Sequence, residues 1–478
     1  MSVQLAVIGA GPGGYAAAVR AAQLGAEVTL IEKDQVGGIC LHWGCIPSKV
    51  MRTAAAVLET TRRAGEFGIA LDGTGAPDMP GLMQRKERII GDQVQGLLRL
   101  FQHHGIRHLK GLATLQGPNR IHVQTREGAR EDVFWDRLIL ATGSRPAQLP
   151  DLPFNGRTIL SSDHALGLGH VPASMLIVGG GVIGCEFASI FSGLGSAVTV
   201  VEAMPGLLPI PGVDEDCVKT LLREMKKRKI QVKTNAGITD IREKGGGCEV
   251  SIGPSPFDRG GTRPKRPAPE CVETECVLIC VGRRPNTDGL GLESLGITTE
   301  PGEWISVDPG MQTPIPGVYA IGDALGPSHI MLAHVASTEG RIAAENAMGN
   351  HSGMDYEAVP AAIFTSPEIG GVGRTESEAR EAGYQVRSDT VLFRNVGKAQ
   401  VIGEIAGQAK LVWDEQTGRV LGAHLIGPGA TELVAEATLA IRAGCTVEDV
   451  AQTIHAHPTL AEIFLEVAGK AAGRPLHG

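Results

Sequence analysis

A chain of 478 residues is too long for one ordinary hydrophobic core, and its length points to about three domains. Hydrophobic residues make up 42% and charged residues 20%, the balance of a soluble globular protein. A net charge of -8 gives no basis for binding nucleic acid or an anionic membrane, and no apolar run approaches the roughly 20 residues of a span. Nine scattered cysteines, an odd count, do not suit a disulfide-stapled secreted fold. A reducing, cytoplasmic home is expected, where a disulfide is more often catalytic than structural. Strand pattern begins at Val3, so no signal or transit segment is expected at the amino terminus.

Residues 3–9 form an apolar strand pattern running into Gly9-Ala10-Gly11-Pro12-Gly13-Gly14. An alanine-rich helical stretch, Tyr15 to Leu24, follows, then a second strand, Val28 to Ile31, ending in Glu32. Glycines 9, 11 and 14 allow a tight turn, close approach of a pyrophosphate and close helix–strand contact, with Glu32 placed for a ribose hydroxyl pair. The glycines alone carry little weight. With 65 glycines in the chain, roughly one G-x-G-x-x-G arises by chance. The strand before, the helix after and the acid at the end of the next strand carry the signal.

The next stretch is Gly37-Gly38-Ile39-Cys40-Leu41-His42-Trp43-Gly44-Cys45-Ile46-Pro47-Ser48-Lys49. Pro47 suits the first turn of a helix, expected to begin there, whose amide end faces back toward Cys45 and favours a thiolate. A disulfide closing so short a loop adds little stability, so a working redox pair is the sharper reading than two unrelated thiols. The helix is expected to continue to Arg63, residues 72–81 read as a Gly/Pro-rich turn, and Gln84 to His104 as another helix. Segments 107–125 and 131–141 read as strands, leading to Ala141-Thr142-Gly143-Ser144 and a proline-bearing linker.

The strand–glycine loop–helix–strand–acid arrangement then recurs. Leu176 to Val178 enter Gly179-Gly180-Gly181-Val182-Ile183-Gly184, and Val198 to Val201 end in Glu202. Each acid follows its first glycine at the same spacing, which is strong evidence for two dinucleotide-binding units. Glu202 would repel a 2′-phosphate, and no arginine follows it nearby, so the second unit reads as a site for NAD rather than NADP. The segment 253–270, rich in proline, glycine and arginine, reads as a mobile hairpin loop with a solvated basic surface. A strand over Cys276 to Val281 precedes Gly282-Arg283-Arg284-Pro285-Asn286-Thr287, and residues 313–323 read as a turn and a strand ending in Gly322-Asp323. A helix is expected over Leu332 to Asn346. Beyond about Met354 the pattern changes to strands at 361–373, 391–396, 400–413 and 420–426, with helices at 430–443 and 447–453. The fold class is therefore α/β: two Rossmann-like dinucleotide-binding domains and a carboxyl-terminal α+β domain. Expected boundaries are 1–149, 150–280, 281–350 and 351–478, the first and third parts forming one domain.

The combination of GGICLHWGCIPSK, LILATGSRP, VGRRPNT, GVYAIGDA, MLAHVASTEG and HAHPTLAE resembles the pyridine nucleotide–disulfide oxidoreductases, over nearly the whole chain. Within them the likeness is to the branch that oxidises dihydrolipoamide. The resemblance implies FAD held by Gly9, Gly11, Gly14 and Glu32, with Ala113, Gly143, Asp323 and Ala333 at further flavin contacts. It implies NAD held by Gly179, Gly181, Gly184, Glu202 and Gly282, and no metal. Cys40 matches the thiol that exchanges with substrate, Cys45 the thiol beside the flavin, and Lys49 with Glu186 an ion pair near the flavin's reactive nitrogen. His457 and Glu462 match a base and its orienting acid, supplied across a homodimer. A histidine titrates in the range needed to deprotonate a dihydrolipoyl thiol, Glu462 stands five residues on to orient it, and a cis His457–Pro458 bond fits. His455 is the weaker candidate.

The implied reaction is oxidation of protein-bound dihydrolipoamide to lipoamide with NAD⁺. The implied partners are the lipoyl domains of 2-oxoacid dehydrogenase or glycine cleavage complexes. The pattern departs from the family at Ala461, where serine is frequent, at Val335, where lysine is usual, and in the long 253–270 loop. Alternatives are a glutathione- or mercury-type reductase, a transhydrogenase-like flavoenzyme, or a lipoyl-protein-binding structural subunit. The first usually has NADP-binding arginines or a carboxyl-terminal cysteine pair, and GKAAGRPLHG has neither.

Overall fold

A computed structural model describes residues 2–73, 75–125, 127–149, 152–257 and 270–477. Residues 258–269, most of the expected hairpin loop, lie outside the described residues. The apolar run Gln4–Ile8 is an inner strand, third in order, of a seven-stranded sheet. Its spatial order is Val318–Ala320, Arg137–Leu140, Gln4–Ile8, Glu27–Glu32, Arg107–Leu115, then Arg120–Thr125 and Arg130–Phe134. The first five strands pair parallel and the last two antiparallel, so Arg107–Leu115 starts parallel to its neighbour and continues as the first strand of a meander. Continuous apolar strands covered on both faces are what such a parallel sheet requires.

A second, all-parallel five-stranded sheet runs Gln231–Lys233, Ala197–Val201, Ser174–Val178, Cys276–Ile279, Ile159–Leu160. A three-stranded antiparallel sheet, Ala236–Lys244, Gly247–Pro254 and Glu270–Thr274, is inserted before its Cys276 strand. The last sheet is antiparallel, in the order Ala361–Ile363, Glu368–Gly373, Val420–Gly427, Gln408–Asp414, Val386–Leu392. Helices Ala430–Ala443 and Glu462–Ala471 cover it. Each large sheet has its own buried core, built around Leu5, Leu138 and Ile139 in the first, Ile177 and Phe191 in the second, and Phe393 and Phe464 in the third. Among the described residues no helix is long and apolar enough to cross a membrane.

Several elements differ from the expectation, for local reasons. The cysteine helix spans Cys45–Arg62 and so begins two residues before Pro47, which still sits in the first turn where its missing N–H is not needed. A separate short helix, Gly38–His42, carries Cys40. Helix Met79–His103 starts earlier than expected, because Asp78 caps it through the Gly81 amide. The stretch 361–373 is two strands, interrupted at Ser366–Pro367, where proline offers no N–H for pairing. Residues 393–401 are helical turns rather than strand, and Gly403 and Gly407, at φ +70° and +125°, delay the next strand to Gln408.

Candidate active site

Both glycine loops lie at the carboxyl ends of central parallel strands, where open α/β sheets bind ligands. In the first, Gly9 adopts φ +104°, and a Cβ there would sit 2.2 Å from the Ala141 carbonyl oxygen. A Cβ on Gly14 would lie 1.8 Å from the Gly9 oxygen, so the helix Pro12–Gln23 can approach its strand only with glycine at that position. Gly11 faces open space, with nothing within 4 Å of such an atom. Glu32 is buried; its Oε2 accepts from the Ala10 N–H and its Oε1 from the Asp34 N–H, each at 2.8 Å.

The same sheet edge gathers the other residues expected near a flavin. Gly143 has φ +68° and receives the Asn286 amide on its carbonyl at 3.0 Å. The buried Thr142 hydroxyl beside it has no partner among the described residues. Asp323 accepts from the Ser144 hydroxyl at 2.6 Å, with Arg283 Nε 3.6 Å away. Ala113 is buried on Arg107–Leu115, beyond the part paired with Glu27–Glu32, and Ala333 opens helix Ala333–Ala347. The glycine cradle and the orphaned hydroxyl fit a dinucleotide that supplies the missing partner.

The second loop repeats the geometry. Gly179 has φ +104°, and a Cβ on Gly184 would stand 1.9 Å from the Gly179 oxygen. Gly181 is open, and Gly282, at φ +125°, has nothing within 4 Å of its missing side chain. Buried Glu202 accepts from the Gly180 and Met204 N–H groups, each at 2.6 Å.

Cys40 and Cys45 meet between the two units. Both are free thiols in this structure and interact with each other, which favours the Cys45 thiolate and disfavours that of Cys40. The hydrogen bond between them is the main cause lowering the Cys45 thiol to about 7; burial opposes it, Lys49 assists and Glu186 opposes. The same contact, with burial, pushes the Cys40 thiol up. Cys45 is the first residue of its helix, where unsatisfied amides favour negative charge. A cavity of about 430 Å³ is lined by Pro12, Tyr15, Cys40, Leu41, Ile46 and Leu97; Cys40 opens onto it and Cys45 does not. The Tyr15 hydroxyl is raised, first by burial and then by the two sulfurs.

One turn along the cysteine helix, Lys49 Nζ contacts Glu186 Oε2 at 2.8 Å. Glu186 projects from the second glycine-loop helix, Val182–Leu194. A residue not anticipated from the sequence completes the pair: the Phe364 N–H donates to Glu186 Oε1 at 2.9 Å, and its ring lies 4.2 Å from Lys49 Nζ. Ser144 and Arg283 were likewise missed as holders of Asp323. The only sequence signal for Arg283 is its place after Gly282.

His457 Nδ1 lies 2.8 Å from Glu462 Oε1, across a cis His457–Pro458 peptide. Glu462 Oε2 also accepts from the Thr459 N–H, and its carboxyl is held below the usual range chiefly by His457. The His457 side chain is 76% exposed, and within one chain no hydrogen bond or ion pair joins it to either thiol. His455 is instead a brace: its ring nitrogens face the Glu436 carboxylate and the Thr453 carbonyl, which raises its pKa through the Glu436 bond. Val335, a departure from the family pattern, is fully buried in helix Ala333–Ala347.

Comparison with known proteins identifies the family. The family model "Pyridine nucleotide-disulphide oxidoreductase" matches residues 3–340, and its dimerisation domain matches residues 359–468. The chain belongs to the pyridine nucleotide–disulphide oxidoreductase family. It is 40% identical over 477 residues to the dihydrolipoyl dehydrogenase of Halobacterium salinarum, covering 99% of this chain and 97% of that one. It is 39% identical over 472 residues to the dihydrolipoyl dehydrogenase of Geobacillus stearothermophilus, covering 98% and 96%. The crystal structure of LpdA from Mycobacterium tuberculosis superposes with a TM-score of 0.89 at 29% identity, over 98% of this chain and 100% of that one. Family membership makes the chain a flavoprotein disulfide oxidoreductase with FAD and NAD binding and a dimerisation domain.

Proposed function

We propose that the chain oxidises protein-bound dihydrolipoamide to lipoamide with NAD⁺, through a Cys40–Cys45 disulfide. The observation that carries this reading is the asymmetric thiol pair: Cys40 faces a cavity while Cys45, beside Lys49, holds the lower pKa. A substrate thiolate attacks Cys40 sulfur, forming a mixed disulfide and releasing Cys45 as thiolate. The second substrate thiol attacks the substrate sulfur of that mixed disulfide, freeing oxidised lipoamide and leaving Cys40 protonated. Bound FAD supplies the two-electron route by which the dithiol is reoxidised at the expense of NAD⁺.

His457 is the base for the first attack. A proton on Nδ1 directed at Glu462 leaves Nε2 free to accept the substrate proton, and Glu462 stabilises the resulting charge. Because His457 touches neither thiol in its own chain, a homodimer delivering it to the partner's site fits the dimerisation domain. Glu202, with both oxygens turned to loop amides and no adjacent arginine, supports NAD over NADP. Relatives named dihydrolipoyl dehydrogenase at about 40% identity support a dihydrolipoyl substrate. The proposal extends this to lipoyl domains of 2-oxoacid dehydrogenase or glycine cleavage complexes, in a cytoplasmic setting.

The test is NADH formation from dihydrolipoamide by the purified flavoprotein, with NADP⁺ and with glutathione as controls. Activity with NAD⁺ and dihydrolipoamide, lost in Cys45→Ser with flavin retained, is the expected outcome. Near-normal turnover in Cys45→Ser would refute the disulfide mechanism.

A further inference from the structure

We infer that Phe364 is a positioning residue for the redox centre: the aromatic ring, reaching in from the dimerisation segment, holds the Lys49 ammonium beside the thiol pair. Three parts of the chain converge on that ammonium. The cysteine helix supplies Lys49, the second glycine-loop helix supplies Glu186 at 2.8 Å, and the connection between strands Ala361–Ile363 and Glu368–Gly373 of the last sheet supplies the ring, 4.2 Å from Nζ. A cation over an aromatic face is held by the ring's negative potential, and that hold strengthens as water is removed. Lys49 is a long, flexible side chain, and an ion pair to Glu186 alone leaves its stem other rotamers. The ring is a second contact on the same ammonium.

The backbone around Phe364 is fixed independently of its side chain. The Phe364 N–H donates to Glu186 Oε1 at 2.9 Å, the Ser366 N–H to the Ser189 hydroxyl at 3.3 Å, and Arg52 Nη2 reaches the Thr365 carbonyl at 3.4 Å. Removing the ring therefore leaves the strap in place and frees only Lys49. The groups facing Cys45 are Cys40, Lys49 and Glu186, with Tyr15 nearby. Lys49 favours the Cys45 thiolate and Glu186 disfavours it. A wandering ammonium leaves Glu186 as the nearer charge. The role rests on the proposed function only in placing Cys45 against the flavin.

The test compares the reduced holoenzyme with Phe364→Leu and Phe364→Tyr by pH titration. Two signals are followed: the long-wavelength absorbance of a thiolate lying against flavin, and the ultraviolet absorbance of the thiolate itself. In Phe364→Leu both midpoints are expected to rise by roughly half a pH unit, with flavin content unchanged. Phe364→Tyr, which keeps an aromatic face, is expected to titrate as wild type. A Leu midpoint equal to wild type, or equal shifts in both variants, would overturn the role of Phe364. The ultraviolet signal needs no flavin, so a missing long-wavelength signal would count against the cofactor reading alone while the midpoint still decides this one.

Discussion

In the first glycine-loop unit the helix Pro12–Gln23 is sealed by helix Ala333–Ala347: a Cβ on Gly340 would lie 2.3 Å from the Gly13 oxygen, and one on Gly38 would lie 2.8 Å from Gly11 Cα. In the second unit the loop is packed by Leu207, 2.6 Å from where a Cβ on Gly180 would stand, and its helix Val182–Leu194 is buried nearly all round, against the cysteine helix and Ser366. The loops themselves are near copies, from φ +104° at Gly9 and Gly179 to amide-bonded Glu32 and Glu202. Near copies of one loop thus sit in different packing surroundings, helix Ala333–Ala347 against the first and Leu207 against the second. The second unit is also fastened by charge. Lys410 of the last sheet reaches Asp214 at 3.1 Å and Asp216 at 3.0 Å, at the start of helix Glu215–Lys227, and the Gly212 N–H donates to Glu378.

The largest expected effect breaks the comparison at the third glycine of each loop. Gly14→Ala and Gly184→Ala each force backbone apart where a Cβ would stand under 2 Å from carbonyl oxygen, beyond the range repacking absorbs. Gly14→Ala is expected to purify without flavin, and Gly184→Ala to keep its flavin while losing NADH turnover; absorbance per chain and an NADH assay separate the two. Loss of flavin from both would erase the distinction.

Next in size is Lys410→Met. Removing the ammonium leaves buried Asp214 facing Asp216 without a counter-ion, which is expected to destabilise the junction by about 3 kcal/mol in an unfolding titration. The Asp216 carboxyl is held below its usual value, chiefly by Lys410, so its share of that stability is present above the ordinary carboxylate pKa. It is lost as pH falls through the lowered one, and the mutant's deficit should therefore narrow in acid. The smallest effect is Glu202→Gln, expected to raise KM for NAD⁺ by about tenfold with little gain for NADP⁺, since no cation is added.

What could be seen in the sequence was what chain-local spacing encodes. The two glycine loops, their acids, the cysteine pair and the His457–Glu462 dyad each lie within one short segment or one repeat of a supersecondary unit. Phe364 could not be seen, because it meets Glu186 across a sequence separation of 178. Nothing in its local pattern distinguishes it from an ordinary strand-end aromatic. Ser144 meets Asp323 across a separation of 179, and Arg283 reaches it from a different segment of the chain. The third sheet was misjudged where glycines and Pro367 interrupt apolar runs, because apolar alternation marks burial and does not report where pairing stops.

The central claim is that a thiolate at Cys45 lies against a flavin and exchanges electrons with it, giving them up in dihydrolipoamide oxidation and taking them when NADH is the donor. Anaerobic titration of the wild-type protein with NADH, at a pH well above the Cys45 value of about 7, tests it most directly. The account predicts a long-wavelength absorbance that grows to completion after one equivalent and is missing in Cys45→Ser. Simple bleaching of the flavin in wild type, with no such absorbance at any point, would contradict it.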